Sequence, residues 1–407
     1  MKSLSFQKMN QSKALIYKKK NMGSLIRNLL LIVLIALALE GYSQVGESAL
    51  LLEGSYVAEG VNNFNGGLKR GGNYQGMIDL MATFDTKKAG LWEGGTTYVQ
   101  LESTHGGNPS ETNIGDYQVA SNIDNGYYTY LYQAWYKQEL GKFSVLAGIH
   151  DLNSEFLFSD YGGEYMSSSF GIMPSVSMNV PVPIFPKATL GTILRYQATN
   201  DINIQLGIYD GDPMDLDTDP YYQNFSLGKD DGILTVLEVW ASTLKKEGYD
   251  GTLKVGAFHH SADFVSNSDT SKTYSGNFGV YLILDQIIIP FNASAEKGLG
   301  MFATIGVVPG NRNSNNYSWG LGFNYMAPFK GRTDDIIGLA AHSVNVNFLQ
   351  DDLSINIGNE TVIECFYKLN INDNIQVQPE LQYIINPGAE NMYDNATVGL
   401  IRAYFSF

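Results

Sequence analysis

Residues 375–385, IQVQPELQYII, set Ile375, Val377, Pro379, Leu381, Tyr383 and Ile385 against Gln376, Gln378, Glu380 and Gln382 at alternating positions. Successive side chains of a β-strand point to opposite faces, so one face here is apolar and the other carries amides and a carboxylate through the middle of the segment. ETVIECFYKLNI, residues 360–371, repeats the pattern: Ile363, Cys365, Tyr367, Leu369 and Ile371 oppose Glu360, Glu364 and Lys368. GLIRAYFSF, residues 399–407, places Gly399, Ile401, Ala403, Phe405 and Phe407 on one face and Leu400, Arg402, Tyr404 and Ser406 on the other. Charged groups in strand interiors are costly in a packed core and well tolerated beside a wet lumen. Two architectures remain: a sheet closed around water with its greasy face toward lipid, and an exported soluble sandwich with one solvated face.

The alternation recurs along the chain, with turn-rich stretches between. It predicts strands over 48–58, 73–85, 95–103, 127–139, 142–151, 188–198, 202–210 and 232–244, then 251–262, 275–286, 299–308, 317–327, 338–349, 360–371, 374–386 and 396–407. About sixteen strands of roughly eleven residues match tilted bilayer crossings, and an even number is what a single-chain bacterial barrel requires. Composition agrees with one β-rich unit: 43 Gly, 26 Tyr and only 16% charged residues. The connections give an independent sign. ELGK, ATND, KKEGYDG and NIND fall on one side of the sheet, whereas HGGNPSETNIGDYQVASNID, DGDPMDLDTDPYYQNFSLGKD and residues 152–187 fall on the other. A barrel has short periplasmic turns and longer outer loops; a sandwich has no reason to alternate them. QIIIPFNASAEKG and APFKGRTDDI are longish for the short side, and PGNRNSN is brief for the long side. The expected fold is all-β: a transmembrane antiparallel β-barrel of about 16 strands over residues 44–407.

Residues 22–44, MGSLIRNLLLIVLIALALEGYSQ, read as a secretory signal. Arg27 precedes an apolar run from Leu29 to Leu39, and small Gly41 and Ser43 stand before Gln44, which places the signal at residues 1–43. The basic residues upstream form a long n-region, unless Met22 is the true start. Seven of the 26 basic residues but only one of the 41 acidic ones lie in that leader, so the rest carries 19 basic and 40 acidic groups, a net charge of about −21. An acidic chain lacks the basic footprint that nucleic acid needs. The single cysteine, Cys365, excludes an intramolecular disulfide framework. After the leader the densest apolar run, LDQIIIP, is far too short for a membrane helix.

Catalytic signatures are missing: no G-x-S-x-G elbow, phosphate-cradling loop or H-E-x-x-H helix occurs. Adjacent His259 and His260 point to opposite faces of a strand, which makes a rim pair the better reading than a metal site. DGDPMDLDTDP carries five aspartates in an expected outer loop. Loop solvation accounts for them; a divalent cation bridging to anionic lipid is the sharper reading, although Pro213 interrupts the run and no Glu closes an EF-hand spacing. No cofactor is otherwise expected. The connection from Leu152 to Lys187 is the oddest stretch, with Phe156, Phe158, Tyr161, Tyr165 and Phe170 among small polar residues. So apolar a loop must pack somewhere, either folded toward the lumen, where it narrows the pore, or as a cap over the outer mouth.

QAWYKQELGKFSVLAGIHDLNSEFLFSDYGGEYMSSSFG, MNVPVPIFPKATLGTILRY, NNYSWGLGFNY, NETVIECFYKLNINDNIQVQPELQYIINPG and the terminal GLIRAYFSF together resemble the carbohydrate-selective porin family of OprB type. YVAEGVNNFNGGLKRGGNYQGMIDLMATFD is similar to that family's opening strands. The most specific pieces are the D-x-N after the fifth strand and E-x-F-Y-K followed by Q-P-E-L-Q-Y-I-x-N-P-G; the connections near 309–316 and 350–359 are trimmed. The resemblance implies a sugar-preferring diffusion channel in a Gram-negative outer membrane, not an enzyme, placed there by the barrel assembly machinery as a homotrimer or monomer among outer-membrane lipids. Sugars have polar edges for charged and amide groups and apolar faces for aromatic rings. Candidates beside the pore are Arg70, Asp79, Glu102, Trp135, Asp151, Asn153, Arg195, Glu238, Trp240, Glu364, Glu380, Gln382 and Arg402. For each, partnership in a wall network that fixes barrel shape is the competing role. A non-selective general porin and a barrel with an enzymatic or adhesive role are the competing functions.

Overall fold

The computed structural model describes residues 48–213, 216, 219, 221, 228, 231–244, 246–291, 297–347 and 358–407. The leader and part of the aspartate-rich stretch, Asp215 and Asp217 included, lie outside these residues, and with them the expected signal and cation readings. The chain divides into two units, a small one that includes Phe84–Glu93 and a large one of Leu52–Thr83 and Gly94–Phe407. In the small unit the Thr86 hydroxyl donates to the Trp92 carbonyl at 2.7 Å and Lys87 pairs with Glu93 at 3.0 Å.

The strands are β1 (Leu50–Asn65), β2 (Gly71–Asp85), β3 (Gly95–Gly106), β4 (Tyr128–Leu140), β5 (Phe143–His150), β6 (Thr189–Gln197), β7 (Ile202–Asp210) and β8 (Ile233–Ser242). The second half supplies β9 (Gly251–Val265), β10 (Thr273–Pro290), β11 (Gly298–Val307), β12 (Asn315–Met326), β13 (Ile336–Val346), β14 (Asn359–Asn372), β15 (Ile375–Ile385) and β16 (Ala396–Ser406). Each neighbours the next, and β1 pairs antiparallel with β16 to close the barrel, with Tyr56 opposite Phe405 and Glu59 opposite Arg402. Closure leaves no unpaired edge.

Burial follows the alternation. In β14, Glu360, Val362, Glu364 and Phe366 are buried while Ile363 and Cys365 are exposed; in β12, Trp319, Leu321, Phe323 and Tyr325 are exposed while Ser318 and Asn324 are buried. The exposed face is thus apolar and the buried face mixed, the reverse of a soluble sandwich. The pattern breaks at bulges, where an extra residue re-aims the side chains that follow. One falls between Gln100 and Leu101 of β3 opposite β4, so that consecutive Tyr132 and Gln133 are both buried.

Short and long connections alternate over much of the barrel, although residues 66–70 between β1 and β2 are fewer than residues 86–94 between β2 and β3. Gly141 and Lys142 join β4 to β5, with Gly141 at φ +66°, which a Cβ would strain. Residues 327–335 are long for their side, but fold on themselves: Arg332 forks onto the Asp335 carboxylate at 2.7 and 2.9 Å and the Tyr367 hydroxyl donates to the same group.

Two long connections pack against the buried strand faces. The β5–β6 connection contains one-turn helices at Ser168–Gly171 and Pro174–Ser177. Its Phe156, Leu157, Met173 and Val176 join a cluster with Ile193, Tyr209, Phe258 and Ile283 of the wall. Its Tyr165, Met166 and Phe170 join a second cluster with Phe302, Ala340, Val362 and Phe366, to which the β3–β4 connection adds Ile114 and Ala120. Burying each large apolar side chain is worth about 1.5–3 kcal/mol. This accounts for a loop too greasy to stand free in water.

Candidate functional site

A connection without a strand ladder must satisfy its backbone N–H groups elsewhere. Here carboxylates on the wall accept them. Glu238 of β8 takes the Leu157 N–H at 3.2 Å; Asp285 of β10 takes those of Asp160 and Tyr161, both at 3.2 Å, and the Ser159 hydroxyl at 2.5 Å. Glu364 of β14 takes Met166 and Ser167 at 2.6 and 3.1 Å. Glu360 of β14 takes Tyr117 and Gln118 of the β3–β4 connection at 2.7 and 2.8 Å, and Gly388 at 2.6 Å. A buried donor left unpaired costs about 1–3 kcal/mol, so four wall carboxyl groups that accept these N–H groups hold two connections against one arc of wall.

The space left beside them is a cavity of about 490 Å³. Asp79 of β2, Gln100 and Glu102 of β3, Gln133 of β4 and Asp151 line one part of it. Lys368 of β14, Gln376 and Gln378 of β15, and Arg402 and Tyr404 of β16 line another. Tyr132 and Phe185 add rings, and Asn122, Glu164 and Tyr165 come from the connections. Acidic and amide groups thus come from the early strands, basic and amide groups from the late ones.

Of the residues expected beside the pore, the structure brings Asp79, Glu102, Asp151 and Arg402 together in this cavity. Asp79 accepts from the Ser55 hydroxyl at 3.1 Å and Gln100 at 2.9 Å, and Glu102 from the Tyr130 hydroxyl. Asp151, just beyond β5, accepts from the Tyr132 hydroxyl and the Ser154 N–H, both at 2.7 Å, and burial raises its carboxyl above the usual range. Arg402 pairs with Glu59 at 2.6 Å and donates to Asn122 at 2.8 Å.

The remaining positions do not line this cavity. Glu238, Glu364 and Gln382 have no exposed surface: the first two are anchors under the β5–β6 connection, and Gln382 donates to the Ala120 carbonyl at 2.8 Å and to Glu380 at 2.8 Å. Glu380 is spent on Gln382 and Gln378. Trp240 packs edge-on against Phe158, with the Lys254 ammonium 4.6 Å from its ring centre. Asn153 donates to the Phe156 and Gly171 carbonyls, both at 3.2 Å, so the D-x-N motif is the corner on which the connection turns. Arg195 pairs with Glu155 and donates to Gln205 at 3.0 Å. Trp135 stacks on Tyr98 with ring centres 5.0 Å apart, and Arg70, in the β1–β2 connection, is exposed and donates to Asn65 at 2.9 Å. Alternation assigned Glu238, Glu364 and Gln382 to a wet face; it carries no sign of a chain segment lying over that face.

Reasoning from sequence missed Gln100, Gln133, Lys368, Gln376, Gln378 and Tyr404. Gln376 and Gln378 share a face with two residues that were named, so the signal was present. Gln133 likewise shares a face with Trp135, whose indole N–H donates to it at 3.2 Å. His259 and His260 point apart as expected, the latter buried against the Gly211 carbonyl at 2.8 Å.

A model of the carbohydrate-selective porin family, OprB type, matches residues 69–407. This chain belongs to that family. Porin B of Pseudomonas aeruginosa is 24% identical over 397 aligned positions that cover 85% of both chains. A putative porin, QuiX, of Acinetobacter baylyi is 23% identical, covering 87% of this chain and 88% of its own. Among solved structures, the high-pH form of Pseudomonas putida OprB superposes with a TM-score of 0.80 at 21% identity, over 88% of this chain and 94% of that one. The DcaP channel of Acinetobacter baumannii shares the fold more loosely, with a TM-score of 0.53 at 11% identity. As a member of this family the chain is a carbohydrate porin, a channel rather than a hydrolase or transferase.

Proposed function

We propose that sugars cross the outer membrane passively through the 490 Å³ passage, between the acid-and-amide side formed by β2–β4 and the base-and-amide side formed by β14–β16. The β5–β6 connection narrows the lumen by covering the opposite wall. A pyranose presents hydroxyls around its edge and C–H groups on its faces. Gln100, Gln133, Gln376 and Gln378 can exchange hydrogen bonds with the edge in either direction, since an amide both donates and accepts. Tyr132, Phe185 and Tyr404 offer rings to the faces. The two basic groups of the passage are paired inside the protein, Arg402 with Glu59 at 2.6 Å and Lys368 with Glu164 at 2.7 Å, while Asp79, Glu102 and Asp151 are held by hydroxyl, amide and backbone donors. A neutral solute therefore meets directional donors and acceptors on both sides, while weak sites let it leave. Assembly into the membrane would proceed through β16, the strand that closes the barrel against β1.

The observation that carries this reading is the amide-rich lining, with Gln100, Gln133, Gln376 and Gln378 around one cavity. Liposome swelling with glucose, maltose and an amino acid of similar size tests it. The two sugars should enter faster than the amino acid, and equal rates for all three reject sugar preference. Gln376 makes no side-chain hydrogen bond among the described residues, so Gln376→Leu should leave the barrel intact. It should slow the sugars about 2–10-fold, the equivalent of one hydrogen bond.

A further inference from the structure

A second cavity, of about 220 Å³, shares Asn122 and Phe185 with the passage. Its lining comes from the two long connections alone, residues 117–124 and 168–186. These are bonded to each other: Ser168 N–H donates to the Val119 carbonyl at 3.0 Å, Asn122 N–H to the Met166 carbonyl at 2.8 Å, and the Ser169 hydroxyl to the Gln118 carbonyl at 3.4 Å. Gln118 is in turn fixed by Glu360. The pocket is therefore held open by backbone, not left by loose packing.

Its chemistry has two parts. Ile172, Pro174, Ile184 and Pro186 form an apolar floor beside the Phe185 ring; Ser168, Ser177 and Asp124 bring hydroxyls and a carboxyl. Asp124 accepts the Ser110 N–H through one oxygen at 3.2 Å. Burial, with the charges of Asp116 and Glu59 adding to it, pushes the Asp124 carboxyl up to about 7, so near neutral pH it can donate as well as accept. A surface with a greasy floor and a rim of two-way hydrogen-bonding groups is matched to a sugar ring. The volume lies below the roughly 300–1,000 Å³ of ordinary ligand pockets, which suits one ring and not a chain.

We propose that this pocket is a subsite for a single sugar ring, so that an oligosaccharide seats one ring between the two connections while the next stands in the passage. The inference rests on the reading of the passage as a sugar path and adds to it a preference for chain length. Two weak sites joined through one solute bind it more tightly than either alone, because the second binding event is intramolecular.

Blockade of single-channel current in planar bilayers by glucose, maltose and maltotriose tests this with the purified full chain. The half-blocking concentration should fall several-fold from glucose to maltotriose. Asp124→Asn keeps the shape of the pocket, and Ser168→Trp fills it. In each the glucose-to-maltotriose ratio should move toward one, with folding checked by the faster gel migration of the unboiled barrel. A wild-type ratio surviving in either folded variant overturns the subsite, as does a wild type indifferent to chain length. Sugar-selective swelling combined with such indifference sinks the subsite alone; equal swelling by sugars and amino acid sinks the reading of the passage as well.

Discussion

Glu59 has no exposed surface, and its carboxylate is held by Arg402 at 2.6 Å and by the Gln75 amide at 2.7 Å. The pair bridges β1 and β16, where the sheet closes. Taking a carboxylate out of water costs several kcal/mol unless a partner compensates, so removing one member is far worse than replacing both. Arg402→Leu should therefore destabilise the barrel by about 3–5 kcal/mol, read from urea unfolding in detergent micelles. Adding Glu59→Gln should recover most of that loss, since a neutral amide no longer needs the guanidinium. Additive losses in the double variant would show that the pair is not the unit that matters. Sequence alone showed Arg402 on a polar face and left open what that face met. Its partner lies 343 positions away, and only closure of the barrel brings the two together.

At the scale of elements, all sixteen strands stand where alternation put them, because one greasy and one polar face is a strictly local, two-residue signal. The errors are local too: β1 runs to Asn65 and β10 to Pro290, past the expected ends at 58 and 286, since pairing with a neighbour extends a strand beyond its clean pattern. The candidate site was less legible. Glu238 and Glu364 look identical in sequence to pore-lining acids, and what distinguishes them is the β5–β6 connection lying on top. Their function as anchors has a consequence. Glu364→Ala removes the acceptor of the Met166 and Ser167 N–H groups, at a cost of about 1–3 kcal/mol for each buried donor left unpaired. Strand pairing is untouched, so the loss should appear in the connection before the barrel: greater current noise, a higher mean conductance and faster proteolysis between residues 152 and 187. Normal conductance with a lowered unfolding midpoint would instead make Glu364 a plain wall residue.

The whole molecule is asymmetric about its own axis. The β5–β6 connection packs against β6–β14, while the 490 Å³ cavity lies beside β2–β5 and β14–β16. Water and solute should therefore reach one arc of the inner wall and not the other, although both read alike in sequence. Thiol chemistry separates them. Cys365 is the single natural cysteine and stands on the exposed apolar face of β14, so a charged, membrane-impermeant methanethiosulfonate should leave it unmodified in a bilayer; replacing it with Ser gives a clean background. In that background Gln376→Cys, on the passage, should react within seconds and reduce conductance. Ser318→Cys, fully buried on β12 against the Ser175 hydroxyl at 3.1 Å, should react far more slowly. The difference comes from cover and not from strand geometry, because both side chains point to the inner face. Adding Glu364→Ala should then raise the rate at Ser318→Cys, since loosening one anchor exposes the wall that the connection protects. Equal rates at the two positions would mean an open lumen lined all round, and the selectivity argued for the narrow side would lose its structural basis.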